Sequence, residues 1–197
     1  KTFEISGFND VIPLTVMTSQ EPTFISMSFK DFFANKAAKL KDRPFIVEAN
    51  RSFSWIDIET GAQLIADDLN KLGVCAGTHV GICGRNSIGW IMTFFAVQKL
   101  GAMALLINPG LSASEIRTVA EISDMTHFCY GTINNVSDYR EFLAALKADG
   151  SQISEIYSFG NASALMERKS YYETVKYIYM QRVDTDAPCV MLFTSGS

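Results

Sequence analysis

Between His79 and Phe159, short apolar runs alternate with longer segments of helical period. His79-Val80-Gly81-Ile82-Cys83 reads as a strand, and Ser87 to Leu100 as a helix stopped by Gly101. Met103 to Ile107 reads as a strand ending at Asn108-Pro109, and Ser112 to Ile122 as a helix opened by a Ser112/Glu115 capping box. Thr126 to Tyr130 is a predicted strand, Asp138 to Ala148 a helix before Gly150, Ile153 to Phe159 a strand, and Val190 to Phe193 the last strand. Strands separated by helices in this way pair in parallel through right-handed crossovers. The runs show little polar alternation, which fits a sheet covered on both faces. The predicted class is α/β, a mostly parallel sheet with helices on both faces. With 197 residues, 48% of them hydrophobic and 19% charged, the chain can bury the core such a sheet needs.

Upstream the pattern differs. Residues 1–27 read as an extended arm, with little periodicity and with Pro13 and Pro22. Phe29, Phe32, Phe33, Ala37 and Leu40 recur at helical spacing, so 28–40 is an amphipathic helix. Phe45-Ile46-Val47 and Ser52-Phe53-Ser54-Trp55 form a predicted hairpin with Ala49-Asn50 at its tip. Ser54 and Asp57 then open a helix whose apolar stripe runs from Ile58 to Leu72, and Gly73 stands where a left-handed cap would end it. Residues 161–186 are the least legible stretch: either a helix near 162–168 or a loop carrying Tyr171-Tyr172. The expected organisation is an arm over 1–27 and one α/β unit over 28–197.

Several function classes are disfavoured. The formal net charge is −4 and no long basic run occurs, so nucleic acid is not an expected partner. Lys36, Lys39, Lys41 and Arg43 are interrupted by Asp42 and read as a solvated helix end. Cys75, Cys83, Cys129 and Cys189 form no C-x-x-C pair, and His79 and His127 lack ligand spacing, so no metal site is expected. The four cysteines lie among apolar residues and read as reduced core thiols, consistent with the cytoplasm. Lys1-Thr2-Phe3-Glu4 does not resemble a signal peptide. Gln98, Lys99 and Gly101 divide the apolar stretch from Ile88 to Ile107 into helix and strand, so no membrane span is expected.

Ligands of parallel sheets bind at the carboxyl ends of the strands. Cys83-Gly84-Arg85-Asn86 follows the first parallel strand, and there Arg85 could reach an anion or the segment could simply turn into a helix capped by Asn86 or Ser87. Asn108-Pro109-Gly110 reads as a turn, and Tyr130-Gly131 shows no chemistry. Thr194-Ser195-Gly196-Ser197 offers three hydroxyls, a glycine and backbone N–H groups that suit phosphate oxygens. It is not the G-x-x-x-x-G-K-[ST] loop, and no G-x-G-x-x-G occurs. Asp67-Asp68 and Asp184/Asp186 read as solvated carboxylates, His127 as a core histidine, and Trp55 and Trp90 as core. Ser195 has no evident His and acid partners, so a hydrolase triad is unsupported.

The order of these features resembles the amino-terminal part of the adenylate-forming (AMP-binding) family: acyl-CoA synthetases, luciferases and peptide-synthetase adenylation domains. The residues that carry the resemblance begin with Ser52-Phe53-Ser54-Trp55…Leu72-Gly73-Val74, Gly77-Thr78-His79-Val80-Gly81-Ile82 and Asn86…Trp90. Ala96-Val97…Leu100-Gly101-Ala102, Asn108-Pro109…Leu111-Ser112…Glu115-Ile116 and Phe193-Thr194-Ser195-Gly196-Ser197 follow. The last is similar to the start of the family's [YF]-T-S-G-[ST]-T-G-x-P-K loop. The resemblance implies that Thr194, Ser195, Gly196 and Ser197 contact the phosphates of ATP. It further implies Mg²⁺ as cofactor, a carboxylic acid as substrate and coenzyme A as acceptor. Thr78-His79 and Gly89 depart from the family's usual residues, at a turn and on a helix surface. The rest of the loop, the adenine and Mg²⁺ contacts and the carboxyl-terminal domain would follow Ser197. No catalytic residue is therefore expected within 1–197, and the chain alone is expected to be silent. Asn108-Pro109 favours acyl-CoA synthetases over peptide-synthetase domains, which tend to carry Asp before that Pro. The alternatives are an adenylation domain that loads a carrier protein, and a non-catalytic nucleotide-binding or association module. A truncated sheet would also expose apolar surface, so a dimer of the chain alone could be an artefact.

Overall fold

The computed structural model describes residues 27–48, 51–159 and 183–193. Most of the predicted arm, the hairpin tip Ala49-Asn50, residues 160–182 with the tyrosine pair, and Thr194 to Ser197 lie outside the described residues. Helix α1 spans Phe29–Leu40 and is capped by Ser28, whose Oγ accepts from the Asp31 N–H at 3.1 Å. Strands β1 (Pro44–Glu48) and β2 (Arg51–Ser54) pair antiparallel, with Val47 opposite Ser52 and a register shift between Pro44 and Ile46. Helix α2 spans Trp55–Lys71. Its capping box is complete: the Asp57 N–H donates to Ser54 Oγ at 3.2 Å and the Ser54 N–H to Asp57 Oδ2 at 3.0 Å. Gly73 takes φ +95°, the left-handed conformation expected of a residue that ends this helix.

Beyond it the predicted alternation is present: β3 His79–Cys83, α3 Ile88–Lys99, β4 Met103–Ile107, α4 Ala113–Ser123, β5 His127–Tyr130, α5 Tyr139–Leu146, β6 Glu155–Ser158 and β7 Val190–Leu192. The five strands β3 to β7 form one sheet of order β6-β5-β3-β4-β7, and every neighbouring pair is parallel. α5 and β6 are shorter than predicted. Ile153 and Phe159 are buried as the pattern requires, but they flank β6 rather than lie in it. Hydrophobicity marks burial, whereas strand ends are set by ladder hydrogen bonds.

Side-chain alternation sorts the core onto two faces. Val80, Ile82, Ala104 and Cys129 join the cluster built by α1, the hairpin, α2 and α3. Cys83, Leu105, Ile107 and Phe128 join the cluster with Ile116 and Ala120 of α4 and Leu146 of α5. Trp55 is buried, as expected; Trp90 is half-buried and stacks on Phe94 with centroids 6.0 Å apart. α2 and α3 meet closely at Gly61, where any Cβ would overlap the Met92 side chain.

The expectation that Asp67 and Asp68 are solvated is corrected. Asp67 is 6% exposed and pairs with Lys71 at 2.6 Å, and Asp68 accepts from the Tyr157 hydroxyl at 3.1 Å. The reason is that α2 is covered along most of its surface, so even its polar flank reaches β6. Asp184 and Asp186 are exposed, as read. His127 is a core histidine: Nε2 donates to the Leu72 carbonyl at 3.0 Å, which leaves Nδ1 to accept from the Thr126 hydroxyl at 2.8 Å.

The α2–α3 seam also holds a buried ion pair between Lys99 Nζ and Glu59 Oε1. Glu59 Oε2 is buried without a hydrogen bond. Nearby, partial burial lowers the Lys30 ammonium below its ordinary value; Asp31 opposes this and Lys99 adds to it. Breaking a buried pair from one side leaves an uncompensated charge and costs about 3–5 kcal/mol. Lys99→Met is expected to destabilise the protein by that amount in urea denaturation. Glu59→Leu combined with Lys99→Met should recover most of it. Equal loss in the single and double variants would show that the pair is not the source.

Candidate functional site

All strands run the same way, so their carboxyl ends open on one side of the sheet. Three connections among the described residues meet there. After β3 the chain turns through Gly84-Arg85-Asn86, and Ser87 then caps α3 by accepting from the Trp90 N–H at 3.2 Å. Of the two expected caps, Ser87 holds the position. After β4, Asn108 Oδ1 accepts from the Gly110 N–H at 2.9 Å, the turn expected of Asn-Pro-Gly. Ser112 and Glu115 then form the predicted capping box; the Ser112 hydroxyl and N–H hold the Glu115 carboxyl below its ordinary value. After β5, Tyr139 stacks on Tyr130 with centroids 5.7 Å apart, and its hydroxyl accepts from the Ile133 N–H at 2.9 Å.

The connections are tied together. The Arg85 N–H donates to the Thr132 carbonyl at 2.7 Å, and Arg85 Nε donates to Asn134 Oδ1 at 2.8 Å. The Asn134 N–H donates to the Pro109 carbonyl at 3.0 Å. Asn134 therefore bridges the segments after β3 and β4, a role that sequence reading missed. Its signal was weak, because an Asn in a loop normally bonds its own neighbours. Phe159, 2% exposed, closes the floor beside them: its ring packs on Gly84, Gly89 and Gly131, and a Cβ at Gly131 would overlap it.

β7 lies beside β4, with Ala104 opposite Val190 and Leu106 opposite Leu192. β7 therefore ends at the same rim as β4. Thr194, Ser195, Gly196 and Ser197, the predicted phosphate contacts, follow directly and lie outside the described residues. Leu192 and Phe193 are exposed. Among the described residues no group of three or more His, Cys, Asp or Glu converges as a metal site. No described helix is long and apolar enough to cross a membrane.

The thiols divide, which corrects the reading of all four as core. Cys83 and Cys129 are buried in the two faces of the sheet, whereas Cys75 and Cys189 are exposed. Cys75 sits in the turn before β3 and Cys189 just before β7 enters the sheet, so the apolar residues near them in sequence do not enclose them. Burial pushes the Cys83 thiol up to about 12 and raises Cys129 as well. Iodoacetamide at pH 8 is expected to modify Cys75 and Cys189 in the folded protein and all four thiols after denaturation. The unfolded thiols ionise near 9.0 while the folded Cys83 stays protonated to about 12. Stability is thus intact below pH 9 and falls as pH rises through that window, by up to about 1.4 kcal/mol per pH unit for each buried thiol. Rapid native labelling of Cys83 would contradict both expectations.

The family model for "AMP-binding enzyme" matches residues 33–197. The 2,3-dihydroxybenzoate-AMP ligase of Bacillus subtilis (strain 168) is 24% identical over 139 residues, 71% of this chain and 26% of that protein. The 4-coumarate:CoA ligase 1 of Petunia hybrida is 27% identical over 108 residues, 52% of this chain and 20% of that protein. Nonribosomal peptide synthetase 1 of Ajellomyces capsulatus is 28% identical over 114 residues, 58% of this chain and 6% of that protein. The chain thus spans about a quarter or less of the length of these relatives. Among solved structures, a long-chain-fatty-acid-CoA ligase from Archaeoglobus fulgidus superposes with a TM-score of 0.67 at 19% identity, covering 87% of this chain and 35% of that one. An artificially fused adenylation–PCP di-domain from Klebsiella oxytoca gives 0.64 at 17% identity, covering 85% of this chain and 28% of that one. These likenesses support the fold.

Proposed function

The chain belongs to the AMP-binding enzyme family, and on that premise we propose that it is the amino-terminal part of an ATP-dependent carboxylic acid–CoA ligase. The observation that supports this reading is β7, which ends on the carboxyl rim of a parallel sheet beside β4, with Phe193 and then Thr194-Ser195-Gly196-Ser197 next in sequence. Hydroxyls and backbone N–H groups at that place suit the phosphates of ATP and the pyrophosphate that departs. The reaction joins a carboxylate to the α-phosphate of ATP, forms an acyl-adenylate and releases pyrophosphate. A thiol then displaces AMP to give the thioester. The loop's part is electrostatic: donors aimed at charge that grows on the leaving group lower the barrier.

Mg²⁺ would neutralise phosphate charge when bound. The described residues offer no converging ligand set for it. Substrate acid and acceptor thiol would be held partly by the remainder of the protein. Asn108-Pro109 after β4 supports the CoA-ligase branch. A second reading, an adenylation domain that loads a carrier protein, is supported by the peptide-synthetase relative.

The test is acid-dependent exchange of labelled pyrophosphate into ATP. The protein that continues beyond Ser197 is expected to catalyse it, and residues 1–197 alone are not. Ser195→Ala in the longer protein should slow exchange by about 10²-fold, the effect of removing one oxyanion donor. Exchange unaffected by Ser195→Ala would reject the assigned loop, and exchange by residues 1–197 alone would reject the fragment reading. Thioester formation with free coenzyme A, rather than with a carrier protein alone, separates the two branches.

A further inference from the structure

We infer that Arg85, braced by Asn134, is a binding contact for an oxyanion, a carboxylate or phosphate group, at the carboxyl end of β3. Arg85 is exposed, yet it is not a free surface side chain. Its backbone N–H is bonded to Thr132 at 2.7 Å and its Nε to Asn134 at 2.8 Å. Asn134 is itself fixed to Pro109 at 3.0 Å. The residue is therefore fixed through its main chain, and its guanidinium through Nε, beside the connections that follow β3, β4 and β5.

Holding a long side chain in one geometry costs rotamer entropy. A purely structural brace would use the bonds already made. Arg carries five N–H donors, and the bond to Asn134 uses the one on Nε. Among the described residues no carboxylate pairs with Arg85. The terminal N–H groups are left as a planar fork, the geometry that takes two oxygens of a carboxylate or phosphate at once. A fixed cation with no acid partner among the described residues, in a chain of net charge −4, stands where parallel sheets bind ligands.

The position also separates it from the end of β7. β3 and β7 are two strands apart in the sheet, roughly 10 Å at the usual strand spacing. Arg85 thus follows a different strand from the one that leads into Thr194–Ser197. That this group belongs to a substrate rests on the ligase reading; the binding itself does not.

The test follows the Arg85 Nε–H resonance of the ¹⁵N-labelled full chain. Inorganic phosphate and acetate are titrated separately at constant ionic strength, with Arg140 as an internal reference. The Arg140 side chain is 95% exposed and sits 3.8 Å from Asp138. A saturable shift at Arg85 in at least one titration is expected, with a linear, smaller drift at Arg140. Saturation by phosphate alone points to a phosphorylated co-substrate, and saturation by acetate to the acid. Asn134→Asp keeps an acceptor for Nε but sets a negative charge against the fork. It should weaken binding at least tenfold while the amide spectrum stays folded. A brace that is only structural would be indifferent to that change. Linear drift at Arg85 matching Arg140, or undiminished binding in Asn134→Asp, overturns the inference. Absence of pyrophosphate exchange would count against the ligase reading and leave this measurement standing.

Discussion

The fold rests on the burial of β3 from every side. It is hydrogen-bonded to β4 on one edge and β5 on the other, and its side chains alternate into two separate cores. Val80 and Ile82 are fully buried on the α2–α3 face, and Cys83 on the α4–α5 face. Such a strand has no polar face, so it is stable only when helices cover both sides. That requirement accounts for the rest of the arrangement. α3 and α4 are the crossovers that return the chain for parallel pairing, and right-handed crossovers place them on opposite faces of the strands they join.

Covering one face demands that α2 and α3 lie tightly together. At Gly61 the Met92 side chain fills the space that a Cβ would take, so a side chain there would force Met92 to move. The same closeness traps Glu59 and Lys99 away from water. Their attraction offsets part of the desolvation cost, yet Glu59 Oε2 stays unsatisfied. A buried pair of this kind adds little net stability over apolar residues. Its effect is to penalise arrangements of α2 and α3 that separate the two charges.

Legibility in the sequence followed the range of the interaction that sets each feature. Ser54/Asp57 and Ser112/Glu115 are local capping boxes, and Gly73 and Gly101 end helices through their own backbone angles. These features were readable, as were β3 and β4 to the residue, because periodicity and caps act within a few positions. The Asp68–Tyr157 bond, the Glu59–Lys99 pair and the Arg85–Asn134 brace join residues 89, 40 and 49 positions apart. Nothing local to either partner announces them. The two exposed thiols were misread for the same reason. Apolar neighbours in sequence surround Cys189, but the chain passes the sheet edge there, so exposure is decided by β7's place beside β4.

Residue types alone single out Thr194 to Ser197, and the structure adds where the strand before them ends, at the rim beside β4. What residue types do not convey is how several strand ends cooperate. A parallel sheet places its carboxyl ends on one rim at regular spacing, so segments distant in sequence become neighbours at known intervals. Arg85 and the β7 exit share that rim but stand on strands separated by β4. The spacing between Arg85 and the end of β7 is thus a consequence of strand order β5-β3-β4-β7, which is determined by how the crossovers cover the sheet.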